Sequence, residues 1–301
     1  MLRAHGVGPD PERAPRSFVL GMGSAKAGTT WLAGYLHAHP QYVKGYQKEY
    51  HVFDSVDLGT DQFARRRLLD RARAAVEDLA AGGPGDASVL HRLAMVSRES
   101  LYFDHFAQVL ADRPRARATG EFTPNYALLS RSRLERIRDE FATRGLRTAP
   151  VFLMRDPVER SWSQVRMKLE RNPRLRGLSS VQHLLERHLD EEYLSLSSYE
   201  AVVTDLVTTF GRDGVHLAFY ERLFEPESVE ELCSFLGLRV VPADFGRRRN
   251  ATVRSDREDQ LPEDVARRVA QSYAATYRFV ATQFPEIDVP RTWPHARHVL
   301  G

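Results

Sequence analysis

Near the N-terminus, apolar positions follow first a strand pattern and then a helix pattern. The run from Phe18 to Met22 is compact and apolar, as in a strand that is buried on both faces of a sheet. A glycine-containing turn follows at 23–28, and Pro40 marks the end of the next segment. Between these points, apolar residues recur at spacings of three and four at Trp31, Leu32, Tyr35 and Leu36. Residues 18–40 are therefore predicted to form a buried strand, a glycine-rich turn and an amphipathic helix.

A second unit of the same kind begins at the apolar run 151–154. Asp156 can cap the helix that follows, Pro157 suits the first helical position, and Glu159 lies three residues after the cap. This arrangement is typical of a capping box. Arg155 is thereby placed at the carboxyl end of a strand, where ligands bind in open α/β sheets.

The remaining pattern predicts further helices and one more strand. Helices are expected at 61–81, 89–110, 198–210, 226–236 and 262–283, and a strand at 215–220. The fold class is therefore α/β, a P-loop-like three-layer fold with a central, mainly parallel sheet flanked by helices. We expect residues 17–301 to form a single domain, with a helical excursion at about 60–112, after a disordered leader at 1–16.

Composition excludes several classes of protein. Net charge is only +3 because 43 Lys and Arg are interspersed with 40 Asp and Glu, so a nucleic-acid partner is not expected. No apolar run approaches the length of a membrane span. The single cysteine, Cys233, excludes an internal disulfide and lies in an apolar helical stretch, where it is expected to be a packing residue.

The turn at 23–28 carries the first chemical signal. Backbone N–H groups and the dipole of the following helix converge on one point there, which suits an oxyanion. Gly23, Gly28 and Thr30 match the ATP/GTP loop G-x-x-x-x-G-K-[ST], but Thr29 stands where that loop has its lysine. The lysine lies earlier, as Lys26. This displacement favours a sulfate donor over a nucleoside triphosphate.

The segment SAKAGTTWL, residues 24–32, resembles the 5′-phosphosulfate loop of sulfotransferases that use 3′-phosphoadenosine 5′-phosphosulfate (PAPS). The resemblance implies that Trp31 stacks on adenine. It also implies that the 5′ end of PAPS is bound by Lys26, Ala27, Gly28, Thr29 and Thr30.

Two later segments resemble the same family. Arg155 and Ser163 have the spacing of the family's 3′-phosphate motif, in which an arginine can hold a phosphate bidentately and a serine adds a donor. The stretch 197–238 resembles the family's third conserved block, and this implies that Tyr220 approaches the adenine. An arginine-rich stretch at 246–257 is expected either to be a solvated loop or to close over the 3′-phosphate.

A candidate base lies in the segment QKEYHVFD, residues 47–54. Glu49 and His51 are two residues apart, so in an extended segment their side chains point the same way and Lys48 faces the other way. Sulfuryl transfer needs a group that takes the hydroxyl proton, and both residue types are suitable. The segment resembles a stretch of carbohydrate-type sulfotransferases whose glutamate is the proposed base. We expect Glu49 to be the base, with His51 as its auxiliary or as the base itself; Glu121 is a further candidate for contact with the acceptor.

The sequence thus predicts an enzyme that transfers a sulfuryl group from PAPS to a hydroxyl group, with an amine as the second choice. The displacement is expected to be in line and metal-independent, with 3′,5′-ADP (PAP) as product, and the acceptor to be a small molecule or glycan. The alternatives are a P-loop kinase or NTPase, and a nucleotide- or nucleic-acid-binding module. Because animal Golgi relatives carry a membrane anchor that is absent here, a cytoplasmic, bacterial enzyme is expected. The acceptor's identity and the oligomeric state stay open.

Overall fold

The structure is a computed structural model that describes residues 15–58, 62–175, 177–246 and 261–301. Apart from Pro15 and Arg16, the predicted leader lies outside these residues, as does the arginine-rich stretch after Gly246. No helix in the described ranges is both long and apolar enough to cross a membrane.

The described chain contains a five-stranded sheet in which every neighbouring pair is parallel, in the order β2-β3-β1-β4-β5. The strands are β1 Ser17–Gly21, β2 Tyr42–Lys44, β3 Ala118–Phe122, β4 Arg147–Met154 and β5 His216–Phe219. From β1 the chain builds the sheet first on one side, through β2 and β3, and then on the other, through β4 and β5. The switch point therefore lies between β1 and β4, and their carboxyl ends form the expected place for a ligand.

Side chains of the central strands alternate between two cores. Phe18 and Leu20 of β1 enter one core and Val19 enters the other, as the period of two along a strand dictates. The alternation repeats in β4, where Phe152 and Met154 lie in the first core and Val151 and Leu153 in the second. Both faces of the sheet are therefore covered, which confirms the predicted three-layer α/β fold.

The α-helices surround this sheet. They are α1 Thr29–Ala38, α2 Phe53–Asp57, α3 Gln62–Ala80, α4 Ala87–Ser97, α5 Ser100–Ala111, α6 Arg131–Ala142, α7 Pro157–Arg171, α8 Ser180–Arg187, α9 Glu191–Leu194, α10 Tyr199–Phe210, α11 Pro226–Leu236, α12 Glu263–Ser272, α13 Ala274–Gln283, α14 Val289–Thr292 and α15 Arg297–Leu300. Helices α3 to α5 occupy the stretch between β2 and β3. Leu68 and Ala72 of α3 pack against Val89 of α4 in a small cluster of their own.

Two helices predicted as continuous are each divided in two. The predicted helix at 89–110 is interrupted at Arg98, whose backbone is extended, and the next residue, Glu99, pairs with Arg133 of α6 at 2.6 Å. The predicted helix at 262–283 breaks at Tyr273, whose hydroxyl lies 2.8 Å from Ser161 Oγ. In both cases a contact with a distant part of the chain lies at the break, which local helix propensity does not reveal.

Candidate active site

The turn after β1 has the geometry that its glycines predict. Gly28 has φ 87°, in the left-handed region that favours glycine, and a Cβ there would lie 2.5 Å from Leu223 Cδ2. Lys26 also has a positive φ, 69°, which is uncommon for a residue with a side chain. Helix α1 begins directly after this turn, at Thr29. Its first N–H groups and the positive end of its dipole are therefore available to an anion.

The turns after β1 and β4 meet. The Arg155 guanidinium donates from Nη1 to the carbonyl oxygen of Lys26 at 3.0 Å, and it lies over the Tyr220 ring with 4.5 Å to the ring centroid. The meeting follows from the sheet, because β1 and β4 are neighbours in register, with Gly21 opposite Val151. The two anion-binding signals of the sequence, 129 residues apart, thus share one site.

These turns border a cleft of about 380 Å³, called here the central cleft. Its lining includes most of the predicted site residues, namely Lys26, Gly28, Thr29, Thr30, Trp31, Glu49, His51, Arg155, Ser163 and Tyr220. Ala27 is different, because its side chain is fully buried in the core and its N–H donates to Ser24 O at 3.2 Å. Trp31 is mostly buried, between Phe245, which stacks on it, and the edge of Phe224.

The central cleft is electropositive around Lys26. Burial lowers the pKa of this amine, and the positive charges of Arg171, Arg155 and Arg166 lower it further. The Lys26 Nζ atom lies 3.5 Å from Met167 Sδ. An anion bound here would relieve this repulsion, so the charge arrangement favours an anionic ligand.

Glu49 and His51 form one hydrogen-bonded cluster with Asp54. His51 Nδ1 is 2.6 Å from Asp54 Oδ2, and His51 Nε2 is 3.3 Å from Glu49 Oε2. Burial lowers the pKa of His51, but the hydrogen bonds and charges of Asp54 and Glu49 outweigh it and raise the pKa to about 10. Burial raises the pKa of Glu49, but His51 and Lys48 outweigh it and lower the pKa to about 2. At neutral pH the cluster therefore holds the His51 imidazolium beside the ionised Glu49.

One orientation predicted from sequence is wrong. Lys48 does not face away from Glu49: its Nζ lies 2.7 Å from Glu49 Oε1 and 3.3 Å from Thr30 Oγ1, and it lines the central cleft. The alternation rule fails because the backbone does not stay extended. His51 has φ 54°, in the left-handed region.

The capping box predicted at α7 is only half formed. Asp156 accepts from the Val158 N–H at 3.0 Å, as an N-cap should. Glu159 instead contacts Arg155 Nη2 and His295 Nε2, each at 3.3 Å, and the Asp156 N–H donates to Glu221. Glu159 thus positions Arg155, a role that its spacing alone does not indicate.

The profile of the sulfotransferase family matches residues 15–242 of this sequence. The chain belongs to the sulfotransferase family. Its activity class is accordingly sulfotransfer.

Solved structures of sulfotransferases resemble it in fold. One from Alicyclobacillus acidocaldarius is 18% identical, with a TM-score of 0.57 over 90% of this chain and 96% of that one. The sulfotransferase domain of the Synechococcus PCC 7002 olefin synthase is 20% identical, with a TM-score of 0.44 over 75% and 74% of the two chains. That from the curacin biosynthetic pathway is 18% identical, with a TM-score of 0.44 over 76% of each. A search among curated proteins gave no significant match.

Sequence reasoning missed several residues that line the cleft of this sulfotransferase. Met167 and Arg171 follow Ser163 at intervals of four along α7, so the helical period would have found them. Pro124 and Asn125 lie in a 3-10 turn after β3, where no helical period could have found them.

Glu121 lies outside the cleft, contrary to its expected contact with an acceptor. It is fully buried, and it accepts hydrogen bonds from the Tyr50 N–H at 2.8 Å and from the hydroxyls of Tyr102 and Tyr126 at 2.6 and 2.9 Å. Burial raises the pKa of this carboxyl, and it outweighs these hydrogen bonds, which lower the pKa. Glu121 therefore anchors the segment that carries Glu49 and His51.

Proposed function

We propose that this sulfotransferase uses PAPS as donor and transfers its sulfuryl group to a hydroxyl group. The observation that carries the proposal is the hydrogen bond from Arg155 to the backbone of Lys26, 3.0 Å long, inside one cleft. It brings an arginine next to the turn that carries Lys26 and leads into the N-terminus of α1. A ligand with an anionic group at each end, such as PAPS, suits that combination.

The residues of the central cleft divide between the parts of such a donor. Lys26 and the N-terminus of α1 suit the 5′-phosphosulfate, because they supply a charge and backbone donors. Arg155 and Ser163 suit the 3′-phosphate. The aromatic rings of Trp31, Tyr220 and Phe224 line the same cleft and suit a purine.

In the proposed reaction the acceptor oxygen attacks sulfur in line with the bond between sulfur and the bridging oxygen. The S–O bond to the acceptor forms as the bond to PAP breaks, and the acceptor's proton passes to a base. Lys26 stabilises the charge that develops on the departing phosphate, so its contact strengthens in the transition state.

Charge favours Glu49 over His51 as the base. His51 is protonated at neutral pH because its pKa is about 10, and a protonated imidazole cannot accept another proton. Glu49 is ionised, with a pKa of about 2. A carboxylate of such low basicity takes the proton late, once the attacked hydroxyl has become acidic. His51 then serves as the auxiliary that orients Glu49.

Calorimetric titration with PAP in the presence of EDTA tests the donor site. We expect saturable binding without added metal, and turnover of labelled PAPS when pools of hydroxylated acceptors are supplied. ATP with magnesium is the comparison. Preference for ATP and a requirement for magnesium would contradict the proposal and favour the kinase alternative.

A further inference from the structure

A second cavity, of about 470 Å³, adjoins the central cleft. The two share Lys48, Glu49 and His51 as lining residues, so the proposed base borders both. The rest of the second cavity comes from Gln47, α3 and α4, and neither Lys26 nor Arg155 lines it. Its size is within the usual range for a small-molecule site.

Helix α3 lines this cavity with two exposed arginines on either side of a buried leucine. The lining residues Ala64, Arg67, Leu68 and Arg71 have the spacing of a single helix face. Leu68, on that face, is 3% exposed and packs against α4, whereas Arg67 and Arg71 are exposed. This face therefore packs through Leu68 and offers the cavity two charged side chains that a ligand can reach.

Arg92 of α4 is a third arginine on the same cavity and is only 7% exposed. Its Nε donates to the Tyr50 carbonyl oxygen at 2.9 Å, and its Nη1 donates to Gln47 Oε1 at 3.2 Å. Both acceptors are neutral, and within the described residues Nη2 makes no hydrogen bond. Charged groups that are this buried are ordinarily paired, because desolvation is costly.

The balance of charge around the second cavity leaves two arginines available. Arg71 pairs with Asp86 at 3.0 Å and Lys48 with Glu49 at 2.7 Å. Arg67 and Arg92 form no ion pair with a carboxylate in the described ranges. Both line the cavity, so an anion bound there would pair with the buried Arg92 and with the exposed Arg67.

We propose that the second cavity binds the acceptor through an anionic group, a carboxylate, phosphate or sulfate ester, held by Arg67 and Arg92. The acceptor is then a hydroxylated anion whose hydroxyl group reaches Glu49 while the donor occupies the central cleft. This inference rests on the proposed function for the direction of transfer. It narrows the proposed acceptors from all alcohols to alcohols that carry an anionic group.

Binding is tested on the full chain with PAP at saturation, by saturation-transfer NMR. The carboxylate probe is 3-(4-hydroxyphenyl)propionate, and its affinity is compared with that of its methyl ester. The phosphate and sulfate probes are 4-hydroxyphenyl phosphate and 4-hydroxyphenyl sulfate, and the affinity of each is compared with that of hydroquinone. At least one anion should bind about 10-fold more tightly than its neutral counterpart. The pair of probes with the largest difference in affinity identifies the anionic group that the site prefers. Equal binding within all three pairs overturns the inference.

Matched variants locate the site. Arg67→Gln should weaken the preferred anion about 10-fold, and Arg92→Lys, which keeps the charge but loses the planar fork, should also weaken it. Arg66→Gln is the matched control, because Arg66 is an exposed arginine of α3 like Arg67 but does not line the cavity. An equal loss in Arg66→Gln and Arg67→Gln overturns the inference, because it shows a non-specific charge effect.

Turnover separates this inference from the proposed function. If PAPS sulfates neutral and anionic probes equally well, and Arg67→Gln changes both equally, the donor role stands and the anionic acceptor site is wrong. If the anions bind through Arg67 but PAP does not bind, the anion site stands and the donor assignment is wrong. In either case, the comparison of Arg66→Gln with Arg67→Gln shows whether the anion binds at the second cavity.

Discussion

Arg155 donates a hydrogen bond to the main-chain carbonyl of Lys26, 3.0 Å away, and so ties the turn after β4 to the turn after β1. Arg155 is held in turn by Glu159 and lies over Tyr220. The loop that carries Lys26 is thus fixed by the same side chain that is proposed to hold the 3′-phosphate. Removing either residue should affect both ends of the donor, but unequally.

Lys26→Ala should lower kcat by about 100- to 1,000-fold while changing PAP affinity much less, because its charge contact strengthens as the leaving phosphate gains charge. Single-turnover kinetics and calorimetry measure the two quantities. Lys44→Ala, an exposed lysine at the end of β2, is the control and should leave both unchanged. Equal losses of kcat and PAP affinity in Lys26→Ala would assign the lysine to ground-state binding alone.

Arg155→Lys should weaken PAP about 10-fold or more, because an ammonium cannot reproduce the planar fork on a phosphate. The loss for 5′-AMP, which lacks the 3′-phosphate, should be smaller. Competition titrations with both nucleotides measure the difference. Identical losses for the two ligands would mean that Arg155 acts only by holding the Lys26 loop.

Glu49→Gln should reduce turnover by about 100-fold or more and leave PAP affinity intact, since it removes the proton acceptor without touching the donor groups. His51→Gln should reduce turnover less. The pH profile of kcat discriminates between the two bases. If Glu49 is the base, kcat should stay constant from neutral pH down to the pH at which the protein unfolds. A kcat that instead increases as the pH rises towards 10 would assign the role of base to His51.

The Glu49–His51 pair should also make stability depend on pH. His51 has a pKa raised from 6.5 to about 10, so its contribution is complete below pH 6.5 and is lost as pH rises through about 10. Glu49 has a pKa lowered from 4.5 to about 2, so its contribution is present above pH 4.5 and is lost as pH falls through about 2. The two windows overlap between pH 4.5 and 6.5.

Urea unfolding of the wild type and His51→Gln checks this dependence. The difference in unfolding free energy should be largest near pH 6 and should shrink progressively as the pH rises towards 10. A difference that stays constant from pH 6 to 10 would show that His51 contributes through packing rather than through its charge.

Local signals predicted the strand–turn–helix units. Pro157 and Pro226 begin α7 and α11, and Gly237, with φ 64°, ends α11 at the predicted residue. Each of these effects acts within one helical turn of the residue that causes it, so a single sequence reveals it. The predicted burial of Cys233 is confirmed for the same reason, because its position on the apolar face of α11 fixes it.

Distant contacts decided what the sequence left open. The break before α5 lies at the Glu99–Arg133 pair, Glu159 bonds His295 rather than the helix cap, and Lys48 turns towards Glu49. The second cavity, between the segment 47–51 and helices α3 and α4, is likewise formed by distant parts of the chain. None of these features produces a periodic pattern in the sequence, because each contact joins different elements or depends on an irregular backbone.

The sequence by itself therefore determined the α/β class, the two strand–turn–helix units that we propose bind the donor, and the pair of candidate bases, since short-range geometry and residue chemistry specify them. Only the tertiary structure decided that the two turns meet, that Glu121 is an internal anchor, and that three arginines line a cavity beside Glu49. The physical reason is the parallel order of the sheet. It places β1 beside β4 and leaves α3 and α4 to pack on each other in a cluster of their own, and that arrangement depends on the packing of the whole chain.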